Sequence, residues 1–266
     1  MALALYVVDA FTSAPFAGNP AAVVVLEGPR DDAWMSRVAV EMKHSETAFV
    51  SPAENGVFAL RWFTPEVEVD LCGHATLATA HVLWESGRLD ESQEAYFDTR
   101  SGTLSASRDA DGIRLDLPIA EPVREPPIAG LFDALALPEG DMYRAGDFYV
   151  LVEAPDHLTV ENLAPEFDKL RDLSDVRAVI VTARADDGVH SIVSRVFGPA
   201  VGIDEDPATG SAHCVLAAYW CPRLETDELF ALQASSRGGE LRVRRVGDRA
   251  HLLGHAVTVA RGELLH

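Results

Sequence analysis

Apolar positions along this chain fall into short strand-like runs separated by polar turns, with two longer apolar blocks, one in each half. Residues 3–9 alternate as a strand does, and the opening carries no basic leader of the kind a signal peptide needs. Residues 21–26 read as a short buried strand between Asn19-Pro20 and Gly28-Pro29. Over residues 34–43, Trp34, Met35, Val38, Ala39 and Met42 recur at helical spacing. Residues 47–50 and 58–63 read as two strands joined by a hairpin-type turn at Pro52-Ala53-Glu54-Asn55-Gly56. The first long block, residues 75–84, is apolar nearly all round and predicts a buried helix opening at Gly73.

The second half repeats this order. A strand at 178–182, a turn at Asp186-Asp187-Gly188, a strand at 191–197 and an apolar helix at 212–220 follow one another. The repeat is visible in letters as well. Arg61-Trp62-Phe63-Thr64-Pro65 answers Arg195-Val196-Phe197-Gly198-Pro199, 134 positions later, and Gly73-His74-Ala75 answers Gly210-Ser211-Ala212, 137 positions later. Two matches in one order, each ahead of an apolar helix, indicate an internal duplication of about 130 residues. The proline-rich stretch 118–127 reads as an extended linker that continues neither strand nor helix. This divides the chain into an N-terminal half, 1–120, and a C-terminal half, 121–266. A last strand within about 255–266 is a candidate to cross back to the first half.

Composition changes this picture mainly by exclusion. A formal charge of −20 argues against nucleic acid and anionic membranes as partners, since phosphate binding needs surplus Lys and Arg. The acidity reads as solvation of outer faces, so an acidic substrate would have to be held by backbone N–H groups or a few basic side chains. Cys72, Cys214 and Cys221 form no disulfide framework and no C-x-x-C pair, which fits a reducing compartment and not a structural zinc. No apolar run approaches the roughly 18 residues of a membrane helix. A cytoplasmic protein is the expectation.

Each apolar helix opens after a strand and a loop, and a buried helix start leaves N–H groups in need of partners. Two such starts facing one another would suit a carboxylate or an enolate-like intermediate. Near them lie His74, in Asp70-Leu71-Cys72-Gly73-His74, and Asp206, Thr209, Gly210 and Ser211, in Asp206-Pro207-Ala208-Thr209-Gly210-Ser211. Glu46 precedes the strand at 47–50. Moving a proton takes one group to remove it, one to return it and a means of holding the charge between, a set that Glu, His and Asp supply. Taken singly, each has a structural alternative. Glu46 could close a helix, His74 could cap one, Asp206 could serve an Asp-Pro turn, Ser211 could permit close packing and Cys72 could be a buried thiol. No G-x-S-x-G surrounds Ser211, no G-x-G-x-x-G follows a strand, and no H-E-x-x-H is present, so serine hydrolysis, dinucleotide binding and a zincin site are disfavoured.

The segments Phe11-Thr12-Ser13-Ala14-Pro15-Phe16-Ala17-Gly18-Asn19-Pro20, Ser45-Glu46-Thr47-Ala48-Phe49, Arg61-Trp62-Phe63-Thr64-Pro65, Leu71-Cys72-Gly73-His74-Ala75-Thr76 and Glu205-Asp206-Pro207-Ala208-Thr209-Gly210-Ser211-Ala212 together resemble the phenazine-biosynthesis isomerase (PhzF-like) family, in the family's order and over essentially the whole chain. The resemblance implies an α/β (α+β) fold of the diaminopimelate-epimerase-like kind: two pseudo-symmetric halves, each a curled, mostly antiparallel sheet around a central helix, with the site in the cleft. It implies no metal, no organic cofactor and a homodimer acting on a small acidic substrate. It assigns catalysis to Glu46 as base with His74, Asp206 and Ser211, and substrate contact to Gly18, Asn19, Cys72, Gly73, Thr209 and Gly210. Its pattern departs at Cys72, where the phenazine enzyme has alanine, and Pro207-Ala208-Thr209 offers no second thiol for the paired-cysteine chemistry of the epimerase cousins. For Glu46 to act near neutral pH, burial should raise its pKa. The competing reading is a non-catalytic binding or interaction protein that kept the fold.

Overall fold

The computed structural model describes residues 2–265 and divides the chain into two compact units. The first holds the residues up to Leu117 together with those from His251 onward, and the second runs from Pro118 to Ala250.

In the first unit the strands are β1 (Leu3–Ala10), β2 (Asn19–Val25), β3 (Thr47–Pro52), β4 (Phe58–Phe63), β5 (Glu68–Val69), β6 (Ala95–Thr99), β7 (Gly102–Asp109) and β8 (Gly112–Pro118). Two helices interrupt them, α1 (Asp32–Met42) and α2 (Gly73–Glu85). Successive pairings run β1–β2 antiparallel, β2–β3 parallel, β3–β4 antiparallel, β4–β6 parallel, then β6–β7 and β7–β8 antiparallel, with β5 beside β4. The sheet curls around α2, which packs against β1, β2 and β3. That is why α2 has no polar face: every residue from Gly73 to Trp84 except His81 is buried. The amphipathic α1, capped by Asp31, instead presses Met35, Val38 and Ala39 onto Leu3, Val24, Phe49 and Phe63 on the other side of the sheet.

The second unit repeats the plan. Its strands are β9 (Val123–Glu125), β10 (Met142–Ala145), β11 (Tyr149–Glu153), β12 (Ala178–Arg184), β13 (Ile192–Gly198), β14 (Ile203–Asp206), β15 (Glu228–Gln233) and β16 (Gly239–Val246). Its helices are α3 (Leu131–Ala134), α4 (His157–Glu161), α5 (Phe167–Arg171) and α6 (Gly210–Leu224). Antiparallel β10–β11, parallel β11–β12, antiparallel β12–β13, parallel β13–β15 and antiparallel β15–β16 reproduce the first unit's sequence of pairings, with β14 beside β13 as β5 is beside β4. The central helix is again buried nearly all round, against β15 and β16. The strand β17 (Arg249–Gly254) crosses the boundary, and β18 (Ala256–Leu264) lies antiparallel to β1 from Leu3↔Leu264 to Ala10↔Ala256. The division at Leu117/Pro118 falls three residues before the one set by composition, and the chain from His251 onward belongs to the first unit.

The duplicated letters have a structural meaning. Arg61 makes two bonds of 2.7 Å to the Glu68 carboxylate, and Arg195 bonds Glu205 at 2.7 and 2.9 Å. Each guanidinium also lies over the phenylalanine two residues on, 5.2 Å from Phe63 and 5.0 Å from Phe197. The repeat therefore preserves a bidentate clamp that pins a short strand ahead of each central helix.

Two elements differ from the sequence-based expectation. The stretch 118–127 is not a bare linker: Val123, Arg124 and Glu125, the residues between its prolines, pair with β10. Proline excludes only its own N–H, so a short edge strand fits between. The helix expected to end at 220 continues to Leu224 through Pro222. Pro222 cannot donate to the Ala218 carbonyl one turn back, and Arg245 Nη1 bonds that oxygen instead at 3.3 Å.

Candidate active site

In the first unit, His74 is the second residue of α2 and is 2% exposed. Its N-cap residue, Cys72, offers no side-chain cap and is also buried, with Sγ 3.5 Å from His74 Nδ1. Asn19, which opens β2 and is fully buried, places Nδ2 3.2 Å from the same nitrogen, and its Oδ1 accepts from Ser45 Oγ at 3.0 Å. Because Ser45 occupies the amide oxygen, the NH2 end faces the ring. Nδ1 must then accept, which puts the imidazole proton on Nε2.

That Nε2–H points at Glu46, whose Oε2 lies 3.5 Å away, too long for a well-formed hydrogen bond. Contacts of this kind often tighten only when substrate binds. Burial, reinforced by the charge of nearby His44, pushes His74 down to about 3, so it is neutral at ordinary pH. His74 is therefore a fixed neutral donor beside Glu46, not a cation. Glu46 immediately precedes β3, and its side chain is 12% exposed. Glu46, Cys72, His74 and Asn19, four residues singled out from sequence, are brought together.

Gly18, expected at the substrate, has a clear backbone role. At φ +62° it sits in the left-handed region, and a Cβ there would lie 2.2 Å from the Ala10 carbonyl oxygen. The buried Asp9 carboxylate fixes the same loop by accepting the Phe16 N–H at 2.6 Å. Gly73 opens α2.

In the second unit, Asp206 ends β14 and is 8% exposed. Thr209, the N-cap of α6, donates its hydroxyl to Asp206 Oδ2 at 2.5 Å and gives α6 no side-chain cap. Gln233, fully buried on β15, holds this loop with one amide. Its Oε1 accepts the Thr209 N–H at 2.7 Å, and its Nε2 bonds the Asp206 carbonyl at 2.6 Å and Thr209 Oγ1 at 3.1 Å. Ser235 Oγ adds a bond to the Pro207 carbonyl at 2.8 Å. Gly210 opens α6, and Ser211, its second residue, shares a 2.7 Å hydrogen bond with the Tyr149 hydroxyl. One turn on, His213 bonds the Thr209 carbonyl through Nδ1 at 2.8 Å, and burial pushes its pKa down to about 4. Asp206 and Thr209 thus form one cluster, with Ser211 tied separately to Tyr149.

Ser45, Tyr149 and Gln233 belong to these networks but were not among the residues singled out from sequence. Ser45 adjoins Glu46 and could have been noticed. Gln233 and Tyr149 lie in strands whose apolar pattern reports burial and says nothing of hydrogen-bond partners. The turn Arg237-Gly238-Gly239, guessed from sequence as a lining segment, brings Gly239 against Ala208 of the Asp206–Thr209 loop.

The two clusters offer groups able to exchange protons: a carboxylate beside a neutral imidazole N–H in one, and a carboxylate and hydroxyls beside a second helix start in the other. Among the described residues, one set of three donors suits a metal ion, Glu46, Cys72 and His74. No helix is long and apolar enough to cross a membrane.

Comparison with known proteins adds a family to this geometry. An uncharacterised isomerase of Halalkalibacterium halodurans is 48% identical across 100% of this chain and 99% of its own length. The crystal structure of a PhzF-family phenazine biosynthesis protein from Enterococcus faecalis superposes with a TM-score of 0.90 at 41% identity, covering 100% of both chains. A hydroxyproline epimerase from Agrobacterium vitis shares the fold at 13% identity, with a TM-score of 0.67 over 99% of this chain and 92% of its own. Residues 8–262 match the phenazine biosynthesis-like protein family, PhzC-PhzF, and the chain belongs to it.

Proposed function

We propose that this protein is an isomerase that moves a proton on a small carboxylic acid by acid–base catalysis, with no metal or organic cofactor. The observation that carries the reading is the Glu46 carboxylate set 3.5 Å from a buried, neutral His74 Nε2–H at the uncapped start of α2. Glu46 takes a proton from a carbon activated by the substrate's carboxylate or an adjacent double bond. The electron pair left behind spreads into an enolate-like anion, and the protonated Glu46 returns the proton at another position or face. His74, held neutral, serves as a donor to the anion or to Glu46. The N–H groups that open α2 favour the substrate's negative charge. The names of the relatives support an isomerase.

The test is solvent-deuterium incorporation, followed by NMR, into a panel of small unsaturated and α-substituted carboxylic acids. We expect exchange with the wild-type protein and a loss of about 10²–10⁴-fold in Glu46→Gln, with an unchanged circular-dichroism melt. Binding without exchange by the wild type would replace this reading with that of a non-catalytic binding protein. Full exchange by Glu46→Gln would remove the assignment of the base.

A further inference from the structure

Glu46, Cys72 and His74 each present one donor atom, and the three atoms lie within 4.8 Å of one another. We propose that they form an inhibitory site for a thiophilic divalent cation, Zn²⁺ in the first instance. The binding half of this proposal stands on the three donors alone, and the inhibitory half rests on Glu46 being the base.

The donor set is one carboxylate oxygen, one imidazole nitrogen and one sulfur, which favours Zn²⁺ over Mg²⁺ or Ca²⁺. Tetrahedral Zn²⁺ keeps such ligands roughly 3.3–3.6 Å apart, given bonds of about 2.0–2.3 Å. Cys72 Sγ lies 3.5 Å from Nδ1 and Glu46 Oε2 3.5 Å from Nε2, so each meets this at one ring nitrogen, and an ion on either nitrogen draws in the ligand on the far side. One ring nitrogen takes the ion and the imidazole proton resides on the other. Cys72 releases one proton to solvent on binding, and the thiolate and carboxylate charges then cancel those of the ion, which leaves a neutral complex in buried surroundings.

The ligands are also held in place. Cys72 and His74 flank Gly73 at the first turn of α2, where Thr76 Oγ1 bonds the Cys72 carbonyl at 2.5 Å. The Asn19–Ser45 pair steadies the ring. Three protein ligands leave a fourth position open, the pattern of a reversible site and not of a structural one. An ion there occupies the Glu46 carboxylate and so blocks proton removal.

Cobalt is the probe. Purified full-length protein titrated with Co²⁺ should develop a near-ultraviolet thiolate-to-cobalt band that saturates at one equivalent and is discharged by Zn²⁺. Cys72→Ser should lose the band, and Glu46→Gln should weaken binding at least about tenfold. Cys214→Ser and Cys221→Ser, which alter thiols on α6, should keep it. No thiolate band up to millimolar Co²⁺, or a band that survives Cys72→Ser, overturns the site. In the exchange assay Zn²⁺ should inhibit the wild type reversibly with EDTA, and Cys72→Ser at least about tenfold less. Stoichiometric binding at Cys72 with undiminished exchange overturns the inhibitory half and the Glu46 base together, and leaves the cation site standing.

Discussion

Asn19 decides which nitrogen of His74 carries the proton. Its amide nitrogen faces Nδ1 and its oxygen is taken by Ser45, so the N–H of the ring is directed at Glu46. Replacing it with leucine, similar in volume but without a donor, should let the ring populate the other tautomer. Nitrogen-15 NMR of His74 should report an Nε2–H imidazole in the wild type and a mixture in Asn19→Leu. The variant should also lose about 1–3 kcal/mol of stability by urea denaturation, the usual cost of an unmet buried polar group. An Nδ1–H wild-type ring would contradict the assignment. The family resemblance assigned Asn19 to substrate contact through its Gly-Asn-Pro loop. In the structure the residue opens a strand and both ends of its amide are engaged by protein groups, an arrangement that depends on residues 26 and 55 positions away.

Among the elements, the loop between β14 and α6 is held from one side by β15 and from the other by the start of β16. Gly239 lies so close that a Cβ there would stand 2.5 Å from the Ala208 Cβ. Gly239→Ala should therefore push Pro207-Ala208-Thr209 outward, at a cost of about 1–3 kcal/mol, and loosen the Gln233 bonds to Thr209. Thermal denaturation and amide hydrogen exchange at Thr209 and Gly210 measure this. An unshifted melt with protected amides would show that the loop yields freely. Part of the secondary structure was legible at this scale: both central helices and the hairpins before them follow from apolar runs and turn residues, whereas the strands within 95–118, 142–153 and 228–254 were not read. Pro222 and the prolines of 118–127 hid two further features. A proline in the sequence shows which hydrogen bond is lost, and only the fold shows that Arg245 replaces it or that a three-residue strand fits between.

For the whole molecule, the buried histidines set an acid limit. His74 and His213 sit at about 3 and about 4, below the ordinary 6.5. The unfolded chain therefore binds more protons than the folded one between those values and 6.5. Stability is complete above that range and declines as pH falls through it, by about 1.4 kcal/mol per pH unit for each histidine once well below 6.5. Urea midpoints at pH 7, 5.5 and 4.5 should fall steeply, and His213→Gln should flatten the slope by about one proton. A pH-independent midpoint over that interval would mean that the rings are not held neutral. The duplication was readable from two short letter matches, one of which persists because its clamps need the same Arg and Phe twice. The partition of the chain was less so, since pairing between distant strands leaves no periodic trace.

That pairing has a consequence for how the protein is made. The outer edge of β1 is completed by β18, whose Leu264 sits opposite Leu3. During synthesis, at about 5–20 residues per second, β1 waits tens of seconds for β18 with a row of backbone donors and acceptors exposed. Residues 118–250 form an uninterrupted block and can settle in the meantime. The unit that carries Glu46 and His74 is begun before that block and closed after it.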